Sequence, residues 1–114
     1  MEPRSAEPAT GALIDELVVG RIRVAVRYGC ARRDQYELDV GRALPFGLRA
    51  QLAALPGATD KGTELLYVVE LAGIHQITVA SSRGRIVVMP RLSTERPAQR
   101  KAVIALCHLI DATL

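Results

Sequence analysis

Apolar and charged positions alternate along residues 18–28, with Ile22, Val24, Val26 and Tyr28 on one side and Arg21, Arg23, Ala25 and Arg27 on the other. A period of two sends successive side chains to opposite faces, so this stretch reads as a half-buried strand. A second alternation covers residues 35–40. Pairing the two as a hairpin centred near Arg32 sets Tyr28 opposite Tyr36, Val26 opposite Leu38 and Val24 opposite Val40, with Arg27 across from Glu37. One register therefore satisfies both faces. Ahead of this hairpin, residues 12–17 fit one or two helical turns. Residues 1–11, rich in Pro, Ala and charge, read as a flexible leader with nothing periodic to bury.

The period then lengthens. Leu48, Leu52 and Leu55 recur at helical spacing behind Pro45 and ahead of Pro56 and Gly57, a Pro-first, Gly-last arrangement that predicts a short amphipathic helix. After a polar connection at residues 58–62, three β-rich runs follow at 63–71, 74–81 and 85–91. They are joined by Ala72-Gly73 and by Ser82-Arg83-Gly84, and predict an antiparallel meander. In the last segment Val103, Leu106, Ile110 and Leu114 make a helical stripe, capped by Ser93 or Thr94 and carrying Pro97 in its first turn. The expected fold is a single α+β domain over residues 12–114. Its antiparallel sheet has about five strands in the order β-β-α-β-β-β-α, packed with two helices, with a short extra N-terminal helix as an option.

Both sides of the run 63–71 are largely apolar, with Leu65, Tyr67, Val69 and Leu71 against Leu66 and Val68. Aligning the meander about its turns extends the second set to Ile77, Val79, Val87 and Met89. Two outcomes fit: the helices divide between the two faces, or one face stays uncovered and is a partner interface formed by Leu66, Val68, Ile77, Val79, Val87 and Met89.

Composition narrows the choice of function. The chain of 114 residues is 49% hydrophobic, enough for one core. With no Trp, one Phe and three Tyr it lacks the stacking surface of a single-strand nucleic-acid platform. Its net charge is +3, and 13 of its 15 basic residues are Arg. Glu37, Asp39 and Asp34 sit where they neutralise the Arg21, Arg23, Arg27, Arg32 and Arg33 group. Arg83, Arg85, Arg91, Arg96 and Arg100 have fewer acids nearby in sequence and form the anion-binding candidate.

Glu70 and His75 would oppose each other across Ala72-Gly73 and form a weak proton-transfer pair, but no nucleophile or oxyanion site accompanies them. Cys30 and Cys107 share no metal-ligand spacing. Cys107 reads as a core residue, and Cys30, between arginines, as the more exposed thiol. No nucleotide, zinc-protease or hydrolase motif occurs, so no cofactor or metal is expected. The absence of a long apolar run points to a cytoplasmic address without a membrane partner. The expectation is a small bacterial-type interaction protein without catalysis. It would be an adaptor, chaperone or immunity-type binder, acting as a homodimer or on a protein partner. The alternative is nucleic-acid or polyanion binding through the second arginine group.

Overall fold

The alternations become strands of one sheet in a computed structural model that describes residues 9–29, 34–71, 75–90 and 95–114. In chain order the elements are β1 (Leu13–Val19), β2 (Ile22–Arg27), β3 (Gln35–Asp39), α1 (Gly47–Ala53), β4 (Thr59–Gly62), β5 (Leu66–Leu71), β6 (His75–Ala80), β7 (Arg85–Pro90) and α2 (Arg96–Asp111). The sheet has seven strands in the order β1-β2-β3-β7-β6-β5-β4, and every neighbouring pair is antiparallel. An antiparallel α+β domain is thus what the pattern predicted, but with two more strands, one of them in place of the helical turns expected at residues 12–17.

Both additional strands lie at the edges. β1 replaces the helical turns expected at residues 12–17, because Val19 pairs with Ile22 across a two-residue turn in which Gly20 takes φ +58. That turn folds the β-branched run ending at Val19 back onto β2. β4 lies in the stretch read as a polar connection. None of its four residues is apolar, and it adds to β5 through backbone pairing alone, which leaves no hydrophobic signal to detect. Arg49 of α1 steadies it by donating to Asp60 at 2.8 Å and to the Gly62 carbonyl at 3.2 Å.

Three registers differ from expectation, one of them between β6 and β7, where Ile77 faces Val88 and so does not share a face with Val87 and Met89. β2 pairs with β3 so that Val26 faces Tyr36 and Val24 faces Leu38, a slip of two positions from the predicted hairpin. A slip of two keeps every side chain on its face, so the hydrophobic pattern cannot distinguish the two registers. Between β5 and β6 the slip is of one position: Leu71 faces His75, Val69 faces Ile77 and Tyr67 faces Val79. A one-residue slip reverses the face, and Ile77 and Val79 are fully buried with Tyr67 and Val69 instead of joining Leu66 and Val68.

The core lies on one side of the sheet. Ile22, Val24, Val26, Tyr36, Leu38, Tyr67, Val69, Ile77, Val79, Ile86 and Val88 point into a single cluster. Leu48 and Leu52 of α1 and Val103, Leu106, Cys107 and Ile110 of α2 enter that same cluster. Both helices therefore cover the same face, and among the described residues no helix lies against the other face. α2 begins at the extended N-cap Glu95, whose side chain makes no capping bond, and Pro97 occupies its first turn as expected. The predicted caps Ser93 and Thr94 lie outside the described residues, as do residues 1–8 of the leader.

Gly84 closes the turn into β7 at φ +64, and its carbonyl accepts from the Val40 amide at 2.9 Å. A Cβ there would run into the Arg42 backbone carbonyl. Gly84→Ala should therefore lower unfolding free energy by about 2 to 3 kcal/mol, read by urea denaturation, because neither the dihedral nor the backbone contact can relax cheaply. Cys107 supplies a pH signature. Burial pushes its thiol up to about 11 from 9.0, so the unfolded chain releases this proton at lower pH than the folded one. Above pH ~9 the native state then binds more protons than the unfolded state, and stability should fall by up to roughly 2 kcal/mol towards pH ~11. Melting curves at stepped alkaline pH check this, and Cys107→Ala should flatten the decline.

Candidate functional site

Asp34 is nearly fully buried at the start of β3, a position a carboxylate holds only with partners. It accepts from Arg96 Nε at 3.1 Å and from the Gly29 amide at 3.2 Å. Arg96 also donates to the Gly29 carbonyl at 3.0 Å and places its guanidinium 4.8 Å from the Tyr28 ring centroid. One turn along α2, Arg100 donates to Asp15 Oδ2 at 2.6 Å and holds that carboxyl below the usual carboxylate range. Arg100 also hydrogen-bonds the Tyr36 hydroxyl, whose proton affinity burial raises. At the far end of the helix, Arg21 in the β1–β2 turn grips the terminus through Asp111 Oδ1 at 2.9 Å from its amide and the Leu114 carbonyl at 3.1 Å from its guanidinium. These bonds fasten α2 to β1, β2 and β3. A hollow of about 350 Å³ lies beside them, bounded by Ile14, Asp34, Tyr36, Arg96, Pro97 and Arg100.

The arginine group singled out in the sequence is not one surface. Arg96 and Arg100 come together on the helix side, each with a carboxylate. Arg85 projects from the other face of the sheet, 3.6 Å from Asp39 Oδ2. Arg83 is exposed in the single 3₁₀ turn Ser81–Arg83 between β6 and β7, and Arg91 lies outside the described residues. Sequence proximity missed Asp34 and Asp15 as partners because both arrive from distant strands.

The uncovered face is organised as rows running across the strands. The middle row goes from Glu16 through Ala25, Glu37, Val87, Thr78 and Val68 to Lys61. On one side of it lies a row carrying Val18, Arg23, Asp39, Arg85, Ala80 and Leu66. On the other side are Arg27 beside Gln35, then Met89, Gln76, Glu70 and Thr59. The face therefore has two halves. β1, β2 and β3 contribute mostly charge, already paired: Arg27 Nε to Glu37 Oε1 at 3.0 Å, and Arg23 to Asp39 at 3.8 Å. β5 and β7 contribute Leu66, Val68, Val87 and Met89, of which Leu66 is 57% and Met89 40% exposed, and β6 between them contributes Gln76, Thr78 and Ala80. Four of the six residues expected to line an interface thus share this face, and Ile77 and Val79 belong to the core. The small side chain of Ala25, between Arg23 and Arg27, leaves a second hollow of about 410 Å³, bordered by Glu16, Val18, Glu37 and Asp39.

The expected Glu70–His75 opposition does not form, since Glu70 pairs with Gln76 and Leu71 with His75. Cys107 is buried in the core as expected, whereas Cys30 lies outside the described residues. Among the described residues no group of three or more His, Cys, Asp or Glu side chains could hold a metal ion, and no helix is long and apolar enough to cross a membrane.

Asp34→Ala would leave the Gly29 amide and the Arg96 guanidinium short of an acceptor in a half-buried setting. A loss of about 2 to 4 kcal/mol in denaturant unfolding is expected, with Asp34→Asn recovering part of it.

The chain matches no protein-family model, no curated protein and no solved structure.

Proposed function

We propose that this chain is a non-enzymatic interaction protein, of the adaptor, chaperone or immunity-binder kind, that docks another protein surface on the uncovered face of its sheet. The observation that carries this reading is the placing of exposed Leu66 and Met89 with half-buried Val68 and Val87 on one face while both helices are spent on the opposite face. Apolar side chains interspersed with polar and charged ones on an uncovered sheet face are what a docking surface presents. The cytoplasmic address belongs to the same proposal. Polyanion binding has weaker support, because Arg96 and Arg100 are already engaged by Asp34 and Asp15, and Arg85 by Asp39, on opposite sides of the sheet.

The experiment is a comparison of the full chain with Val68→Asp and Val87→Asp, reading self-association by light scattering and partner capture with the chain as bait. Either association should fall by about tenfold or more in both variants, while thermal melts stay near those of the unsubstituted chain because both side chains lie outside the core. Association that survives both substitutions would remove the sheet face as the docking surface.

A further inference from the structure

Both edges of the sheet carry features that oppose strand addition. The β1 edge exposes Leu13, Ile14 and Val18 but carries a bulge between Leu13 and Asp15 and the charges of Asp15 and Glu16, and the β4 edge is four residues long and includes Lys61 and Gly62. Bulges, charges and short length are the features that discourage a further strand from adding to an edge. The uncovered face is left, and its charges balance: Glu16, Glu37, Asp39 and Glu70 against Arg23, Arg27, Arg85 and Lys61, in a chain whose net charge is +3. A surface that meets its own copy about a two-fold axis has to be neutral in this way, since any excess charge would face itself.

Resting on the docking reading above, we infer that the occupant of this face is a second copy of the chain, packed sheet to sheet about a two-fold axis along β7. β7 is the fourth of the seven strands, so the axis lays β2 over the partner's β5, β3 over its β6 and β1 over its β4. The rows then match side chain by side chain. On the middle row Val87 meets its own copy, the partner's Val68 comes over the Ala25 hollow, and Glu16 faces the partner's Lys61. On the next row Met89 meets Met89, Gln35 faces the partner's Gln76, and Arg27 faces the partner's Glu70. On the remaining row the partner's Leu66 lies against the aliphatic stem of Arg23. Arg85 faces its own copy at the strand end, where Asp39 already neutralises it at 3.6 Å. Apart from Arg85, small therefore faces large and acid faces base. Aligned sheets cross at about −30°, which displaces the flanking rows, and Arg27, Glu70, Glu16 and Lys61 are the long side chains able to reach across that displacement.

The size of the face also fits. Seven strands at about 4.8 Å spacing and strands of about 20 Å give roughly 600 Å² per copy, so about 1,200 Å² in all, the lower end of specific interfaces. The dimer is accordingly a reversible one.

Sedimentation of the full chain from micromolar to millimolar concentration should show a reversible equilibrium between one and two chains of 12.3 kDa. R27E alone and E70R alone each set like charges facing at two places and should weaken dimerisation by about tenfold, whereas R27E/E70R together should return to within about threefold of the unsubstituted chain. Far-UV circular dichroism confirms that each variant is folded. A monomer at every concentration, a dimer indifferent to the single reversals, or a double reversal without rescue would overturn the inference. A monomer whose partner capture is still lost in Val68→Asp removes self-docking and keeps the docking reading, while a dimer that Val68→Asp leaves intact removes both.

Discussion

One constraint governs the rest of this structure: two helices, seven and sixteen residues long, must bury the apolar side of a seven-stranded sheet. Strand alternation gives each side its own composition, and the side bearing Ile22, Val24, Leu38, Ile77, Val79, Ile86 and Val88 is apolar from β2 to β6. Covering it occupies the stripes of both helices. Among the described residues no helical surface is left for the other side, whose chemistry then follows from position: charge where the strands come from the N-terminal hairpin, aliphatic side chains where they come from the meander.

The arginines serve this same arrangement. Arg96, Arg100 and Arg21 each tie α2 to a strand or turn of the N-terminal hairpin, through Asp34, Asp15 and Asp111. α1 is tied to β4 by Arg49, which also sits over the Tyr67 ring at 5.0 Å. Exposed pairs of this kind add little stability individually, but Asp34 is buried, and its geometry fixes where α2 starts. An arginine-rich composition here reflects how helices are oriented on a sheet, and it need not imply an anionic ligand.

The elements legible in the sequence were those with a periodic apolar signature. β2, β3, β5, β6, β7, α1 and α2 all alternate or repeat strongly enough to be placed. β4 has no apolar side chain, so its backbone pairing with β5 left no trace in the pattern. Face assignment depended on turn length, and one position between Leu71 and His75 moved Ile77 and Val79 from the expected interface to the core. Leu66, Val68, Val87 and Met89 stay on one face because β6 and β7 also pair one position away from the expected alignment, Ile77 facing Val88, and this second slip cancels the first. The matching charges Glu16 and Lys61 were not legible, since they join the face only once β1 and β4 are in the sheet, and Glu70 was set opposite His75 by the one-position slip between β5 and β6.

An uncovered face of this kind has to remain hydrated when empty and give up water when filled. The paired charges reconcile these demands. Arg27 with Glu37 at 3.0 Å and Asp39 between Arg23 and Arg85 hold water over one half of the face. Because these groups are already partnered within the chain, covering them desolvates ion pairs and not lone charges, which is much the smaller penalty. The aliphatic half then supplies the favourable area, and the polar half supplies register without adding much affinity. A face built from pre-paired charge beside Leu66, Val68, Val87 and Met89 thus favours an association that is specific in geometry and modest in strength.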